Sequence, residues 1–208
     1  MTKMQKRIGM ATAGSVLLGI AVGFMRIANF GLDPFASTVQ GVANLLGTGY
    51  GNSFLLVTGA LFGVTLLLDR SMIGVATFVN LFLLGYIADA TVWGMTAMGF
   101  QPQLAGRILM LILGVGIICI ASSLYFTANL GVSAYDAMAL IATKRKIASF
   151  RVCRTAGDML CVVLGMLMGC MPGAGTVLVA FCMGPLIQYL NRVMSIPLLE
   201  GKGMAKSV

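Results

Sequence analysis

The chain has no histidine, and only six acidic residues among 208 stand against fourteen lysines and arginines. Without imidazole it lacks the commonest metal ligand and the side chain that ordinarily moves protons near neutral pH. Any proton or cation chemistry therefore falls to carboxylates. No nucleophile with a histidine base can be assembled, and no paired aspartate motif for hydrolysis within a membrane stands out, so the chain reads as a non-enzyme without catalytic residues. The cysteines Cys119, Cys153, Cys161, Cys170 and Cys182 are odd in number and form no CxxC pair. They lie mostly inside apolar runs, as small buried hydrophobes do, and predict no disulfide frame, metal site or other cofactor.

Charge of either sign is scarce. Charged residues make up 10% of the chain and hydrophobic ones 59%, with a mean hydropathy of +0.97. That balance excludes an ordinary soluble domain and implies an integral membrane protein whose first partner is the lipid bilayer. The net charge of +8 sits in short basic clusters between apolar runs, with no aromatic residues interleaved. Anionic headgroups, not nucleic acid, are the expected counter-charge. Sixteen methionines read as adaptable packing.

What is present is a set of apolar runs and one short stretch that occurs twice. Asn29-Phe30-Gly31-Leu32-Asp33-Pro34-Phe35 recurs a hundred positions later as Asn129-Leu130-Gly131-Val132-Ser133-Ala134-Tyr135. Each copy follows a run long enough to cross a bilayer, residues 8–28 and 107–128, and each precedes a shorter, more polar segment. Asn and Gly end helices by turning left-handed, so both copies predict a helix stop followed by a re-entrant or half-depth helix. Irregular backbone at that depth is tolerated only where protein or a water-filled cavity covers it. Further spans are expected over residues 53–68, 72–98, 152–171 and 174–191. The first run has a basic start but no small-x-small cleavage pattern, so it reads as a transmembrane helix and not a signal peptide.

Beyond the loops the repeat is weak in identity and consistent in order. Arg7, Gly14 and Ala21 match Arg107, Gly114 and Ala121 at an offset of one hundred; Gly74, Thr77, Gly85 and Asp89 match Gly173, Thr176, Gly184 and Gln188 at ninety-nine. The predicted fold is an all-α polytopic membrane protein of six transmembrane helices plus two half-depth segments, arranged as two inverted three-helix repeats. Residues 1–98 form the first half, 99–106 the linker, 107–193 the second half, and 194–208 an exposed cytoplasmic tail. With six crossings and both termini cytoplasmic, only Arg26 and Arg107 fall outside. Eight crossings in parallel repeats, with Arg26 and Arg70 outside, score equally well. The length and polarity of the short segments favour six.

Four acids, Asp33, Asp89, Asp136 and Asp158, lie in or beside apolar segments, where an ionised group is costly unless paired or wet. Arg154 and Asp158 are four residues apart on one helix face, so an intramembrane ion pair is expected. Asp33 precedes Pro34 in a helix-start pattern, so plain N-capping competes with a role for Asp33 and Asp136 in holding a cation or proton between broken helices. Asp89 is either interfacial and solvated or part of a pathway. Asn29 and Asn129 are helix stops whose repetition also marks them as candidate pathway residues. The Gly-x-x-Thr repeats read as close-packing contacts, since no Lys-Ser/Thr pair completes a phosphate cradle.

Together, Asn-x-Gly-Leu-x-Pro at residues 29–34, Leu-Gly-x-x-x-x-Asp at 130–136, Val-x-Arg-Thr with an acid four residues beyond the Arg at 152–158, Gly-x-Gly-Thr at 173–176 and Gly-Pro-Leu-Ile-Gln at 184–188 carry a resemblance. On them the chain resembles the bacterial YczE/YyaS/YitT-type integral membrane proteins, the YczE branch in particular, over residues 7–193. The loops depart from that pattern, which carries a Pro and then an Asp: one copy has Pro34 with Ala36, the other Ala134 with Asp136. Asp158 stands where a longer Glu is expected. The resemblance implies architecture and a bacterial inner-membrane location, not an activity. Two functions follow as expectations. One is a small-solute or cation transporter with its site between the Asn-Gly loops. The other is a non-transporting scaffold for a partner membrane protein or a second copy of the chain.

Overall fold

A computed structural model describes residues 3–200, and the regular structure among them is helical throughout. The helices are α1 (Lys3–Ala28), α2 (Pro34–Leu46), α3 (Tyr50–Leu68), α4 (Val75–Ala97), α5 (Leu104–Ala128), α6 (Ala134–Lys144), α7 (Phe150–Leu167), α8 (Ala174–Leu190) and α9 (Ile196–Glu200). A 3₁₀ turn, Arg70–Met72, separates α3 from α4, and a π-helical stretch, Asn191–Ser195, joins α8 to α9. Four helices, α1, α3, α4 and α5, are long and apolar enough to cross a membrane. With 13 and 11 residues, α2 and α6 rise only about 20 and 17 Å at 1.5 Å per residue, short of a core about 30 Å thick.

The first helix begins in the basic tail, at Lys3, several residues before the apolar run. It crosses α5 at close range, with Gly14 against Ala121 and Tyr125, and Gly114 against Ala21 and Met25. Seven residues forward on one helix are seven back on the other, so the pair is antiparallel. Against α4 the register has the opposite sense: Gly19 meets Ile87, and Gly23 meets Thr91, four residues on in both. Thus α1 and α4 run the same way. Met25, Ala28, Leu84, Ala88 and Ile118 lie in the buried core these helices share.

Both loops end their helices as expected. Asn29 and Asn129 are left-handed, with φ of 53° and 48°, and Gly31 and Gly131 follow with φ of 98° and 109°. Each loop then docks on a helix of the other half of the chain. Phe30 places its carbonyl on the Gly175 amide at 2.8 Å, and Leu130 places its carbonyl on the Ala76 amide at 3.1 Å. Both amides belong to first turns, which have no intrahelical acceptor. A side chain at Gly173 or Gly74 would overlap those same carbonyls, which is why the Gly-x-x-Thr repeats are close-packing devices. Thr176 and Thr77 complete them by accepting the Gly173 and Gly74 amides at 3.3 and 3.2 Å.

One expectation is corrected here. The chain does not leave the bundle at residue 194. Ser195 and Leu199 are buried, and the Ser195 hydroxyl lies 2.5 Å from that of Ser123 on α5. In α9 it is Leu199 that joins the core, while Ile196 and Leu198 stay exposed. The rest of the expected tail, residues 201–208, lies outside the described residues.

Candidate functional site

Where the two short helices begin, they meet. The Phe35 ring stacks on that of Tyr135 with centroids 4.8 Å apart and planes 17° from parallel. Asp33 caps α2 by accepting the Ala36 amide at 3.1 Å, and Pro34 follows at the first helical position. Ser133 holds the matching cap on α6: its hydroxyl oxygen accepts the Asp136 amide at 3.1 Å and its proton goes to Asp136 Oδ2 at 2.9 Å. The cap on α6 thus belongs to Ser133, which leaves the second oxygen of Asp136 for another partner.

That partner is Arg154 on α7. Its Nη1 is hydrogen-bonded to Asp136 Oδ1, and its Nε lies 3.4 Å from Asp158 Oδ1. The expected Arg154–Asp158 pair is present but shared, with one guanidinium bridging acids from α6 and α7. The guanidinium carbon sits 4.5 Å from the centre of the Tyr135 ring, and the Tyr135 hydroxyl donates to Asp158 Oδ1 at 2.6 Å. Asp33, the cap of α2, lies two residues before Phe35. Three acids and one arginine therefore gather at the junction of two helix starts. Among the described residues, no three His, Cys, Asp or Glu side chains group as a metal site.

A second network lies at the end of α1. Arg26 Nη1 meets Asp89 Oδ1 at 2.7 Å, and the Gly51 amide donates to Asp89 Oδ2 at 2.6 Å. Asp89 is therefore paired, with about a third of its side chain still exposed. Its partner is 63 positions away, too far for any local spacing to reveal. Arg26 also donates to Gln40 at 3.1 Å, Gln40 to Asn44 at 2.9 Å, and the Arg26 guanidinium lies 4.7 Å from the Tyr50 ring centre. The Tyr50 hydroxyl is buried and has no hydrogen-bond partner among the described residues.

Arg26, Gln40 and Asn44 line a half-open cleft of about 670 Å³ together with Asn29, Gly31, Leu32 and the 169–174 segment. Asn29 is in this cleft and Asn129 is not. The two Asn turns stand at opposite ends of the antiparallel α1–α5 pair, and only the helix starts that follow them come together. Phe35 and Tyr135 therefore face each other, and the asparagines do not. Arg107 shows how the first corner is pinned: it donates to the Ala28 and Asn29 carbonyls at 2.8 and 3.1 Å, a cation at a helix C-terminus.

A third charged contact ties the end of α6 to the α3–α4 turn. Lys144 Nζ lies 2.9 Å from Asp69 Oδ2 and 3.2 Å from Ser71 Oγ. Ser71 also donates twice to Asp69. These hydrogen bonds, with Lys144 adding to them, hold the exposed Asp69 carboxyl down at about 2.

Long apolar helices, two half-length helices meeting start to start, and charges gathered at their junction define a polytopic protein of membrane-helix type. Within that class the chain belongs to the family of unknown function DUF6198, whose model matches residues 5–192. It is similar to an uncharacterised protein of Haemophilus influenzae, 27% identical over 199 residues that cover 94% of this chain and 88% of that one. No solved structure matches.

Proposed function

We propose that the protein is a small-solute or cation transporter of the bacterial inner membrane, with six crossings, two inverted three-helix repeats and both termini in the cytoplasm. The helix directions support six crossings, because α1 and α4 run the same way; in an eight-crossing chain they would oppose each other. The Lys144–Asp69 contact supports the same topology, since it puts the basic end of α6 beside Arg70 on one face. The exchanged loop contacts, Phe30 on Gly175 and Leu130 on Ala76, are what a twofold axis in the membrane plane produces. The loop motifs also support kinship with YczE-type proteins.

One observation carries the functional reading. Ionisable groups gather at both half-length helices: Arg26 on the cleft wall pairs with Asp89 beside the Tyr50 ring, and Arg154 bridges Asp136 and Asp158 where α2, capped by Asp33, meets α6. Ionisable groups at membrane depth are costly and mark substrate or ion paths. Three acids against one arginine leave the junction with surplus negative charge, offset in part by the two helix starts. That balance suits a cation or proton exchanging with solute, and Asp33 and Asp136 are its coupling acids.

The test is flux in proteoliposomes. Asp33→Asn combined with Asp136→Asn should abolish solute or cation uptake while gel filtration shows an intact, monodisperse protein. The scaffold reading draws on the stacked Phe35 and Tyr135 rings, which pack the junction shut. It gains if no solute in a broad panel moves and the same substitutions alter only co-purification of a membrane partner. Ligand search can begin with thermal shift, since a solute bound by the folded state raises its melting temperature.

A further inference from the structure

The cleft has a counterpart position on the opposite face of the molecule, and that position is shut. At the offsets of the repeat, the cleft residues Ile27, Leu32, Asn44, Val92, Cys170 and Met171 correspond to Thr127, Val132, Lys144, Asn191, Ser71 and Met72. In the second set they are bonded to one another. Lys144 reaches Ser71 and Asp69, the Val132 amide donates to the Met72 carbonyl at 3.3 Å, and Thr127 donates to Asn191 at 3.4 Å. Thr77 adds a bond to the Val132 carbonyl at 2.7 Å. Among the described residues none of these bonds has an equivalent in the first set, where the walls stand apart around about 670 Å³.

We infer that the protein carries a second, latched copy of the cleft between the end of α6 and the α3–α4 turn, and that the two clefts open in alternation. The backbone frame is paired, so what one half does the other can do. The loop dockings at Gly173 and Gly74 are the same on both sides and act as hinges that persist. The difference lies in the walls, α2 against the 168–172 segment and α6 against the 69–73 segment. The structure holds the state with the α2 side open and the α6 side latched by Lys144, Asp69 and Ser71. In the other state Asn44 closes on Cys170, as Lys144 closes on Ser71 here. The inference deepens the transport reading, because alternating clefts let the acids at the junction face each side in turn.

The experiment needs no solute. In lipid nanodiscs, where both faces can be reached, Val132→Cys in a background lacking the native cysteines reports opening of the latched side through its rate of maleimide labelling. Asp69→Asn and Lys144→Met each remove the ion pair, and each should raise that rate about two- to fivefold, the range an exposed pair supports. Independently, Asn44→Cys with native Cys170, the other cysteines replaced, should be bridged by a short bifunctional thiol reagent. That bridging should speed up by the same factor when Asp69→Asn is added. Unchanged rates in both assays, with circular dichroism showing intact helices, would overturn the alternating clefts. Changed rates without flux of any solute would leave the clefts standing and remove the transport reading; flux with unchanged rates would do the reverse.

Discussion

Position for position, the two half-length helices sit in frames of one shape filled with different chemistry. In the first, Phe35 packs edge-on against Phe54, with centroids 6.1 Å apart. A hundred residues on, Tyr135 lies under Arg154 and bonds Asp158. Ala36 and Thr58 stand where the second frame has Asp136 and Asp158; Thr58 is buried. The apolar frame needs no charge balance, whereas the polar one needs every member. This pairing teaches that one backbone frame accommodates either set of side chains.

The comparison breaks most visibly at Arg154. Arg154→Phe gives the second frame the residue of the first but strands Asp136 and Asp158, and should cost about 3 kcal/mol, the lower end for a broken buried pair because the site is partly open. Adding Tyr135→Phe, Asp136→Ala and Asp158→Thr completes the apolar set. Thermal unfolding in detergent should then show most of that stability restored, and proteoliposomes made from the fourfold variant should carry no flux. A fourfold variant as unstable as the single one would mean that the charges are structural.

Next in size are the loop glycines, where the halves should behave alike. Gly31→Ala and Gly131→Ala each force a side chain into positive φ and against a Gly-x-x-Thr corner, and each should lose about 2–3 kcal/mol. A marked inequality in the two melting shifts would show that one docking carries more of the fold. The caps come third: Asp33→Ala and Ser133→Ala should each lose about 1 kcal/mol in the same assay. If Asp33→Ala abolishes flux at that small cost while Ser133→Ala leaves it intact, the acid has a role beyond its cap.

The smallest effect belongs to the latch. Asp69 has its carboxyl depressed to about 2 in the folded protein from an ordinary 3.8. A depressed carboxylate stabilises fully above the ordinary value and loses that contribution as pH falls from about 4 towards 2. Asp69→Asn should therefore flatten the melting curve's pH dependence in that window. Added salt should weaken the wild-type contact, since the pair is exposed.

Much of the architecture was legible in the residues. The Asn-x-Gly stops, Asp33-Pro34 and the short polar segments after them announce interrupted helices, because these signals act within one or two turns of chain. Arg154 and Asp158 were legible for the same reason, lying four apart on one helix. Arg26 with Asp89, and Asp136 with Arg154, were not. Their partners come from separate elements, and no period in a one-dimensional string records which faces of two helices meet. The burial of Ser195 and Leu199 is not legible in the sequence, because so short a segment shows no period and its contacts come from α1 and α5.

By itself the sequence determined the membrane solvent and the places where helices must break. Hydrophobicity, left-handed turns and repeats are local properties that survive in any fold. Only the tertiary structure decided which half-helix received an arginine, which acid capped and which paired, and that one of two equivalent clefts is latched. Those outcomes depend on distances between residues far apart in the chain, and packing alone sets them.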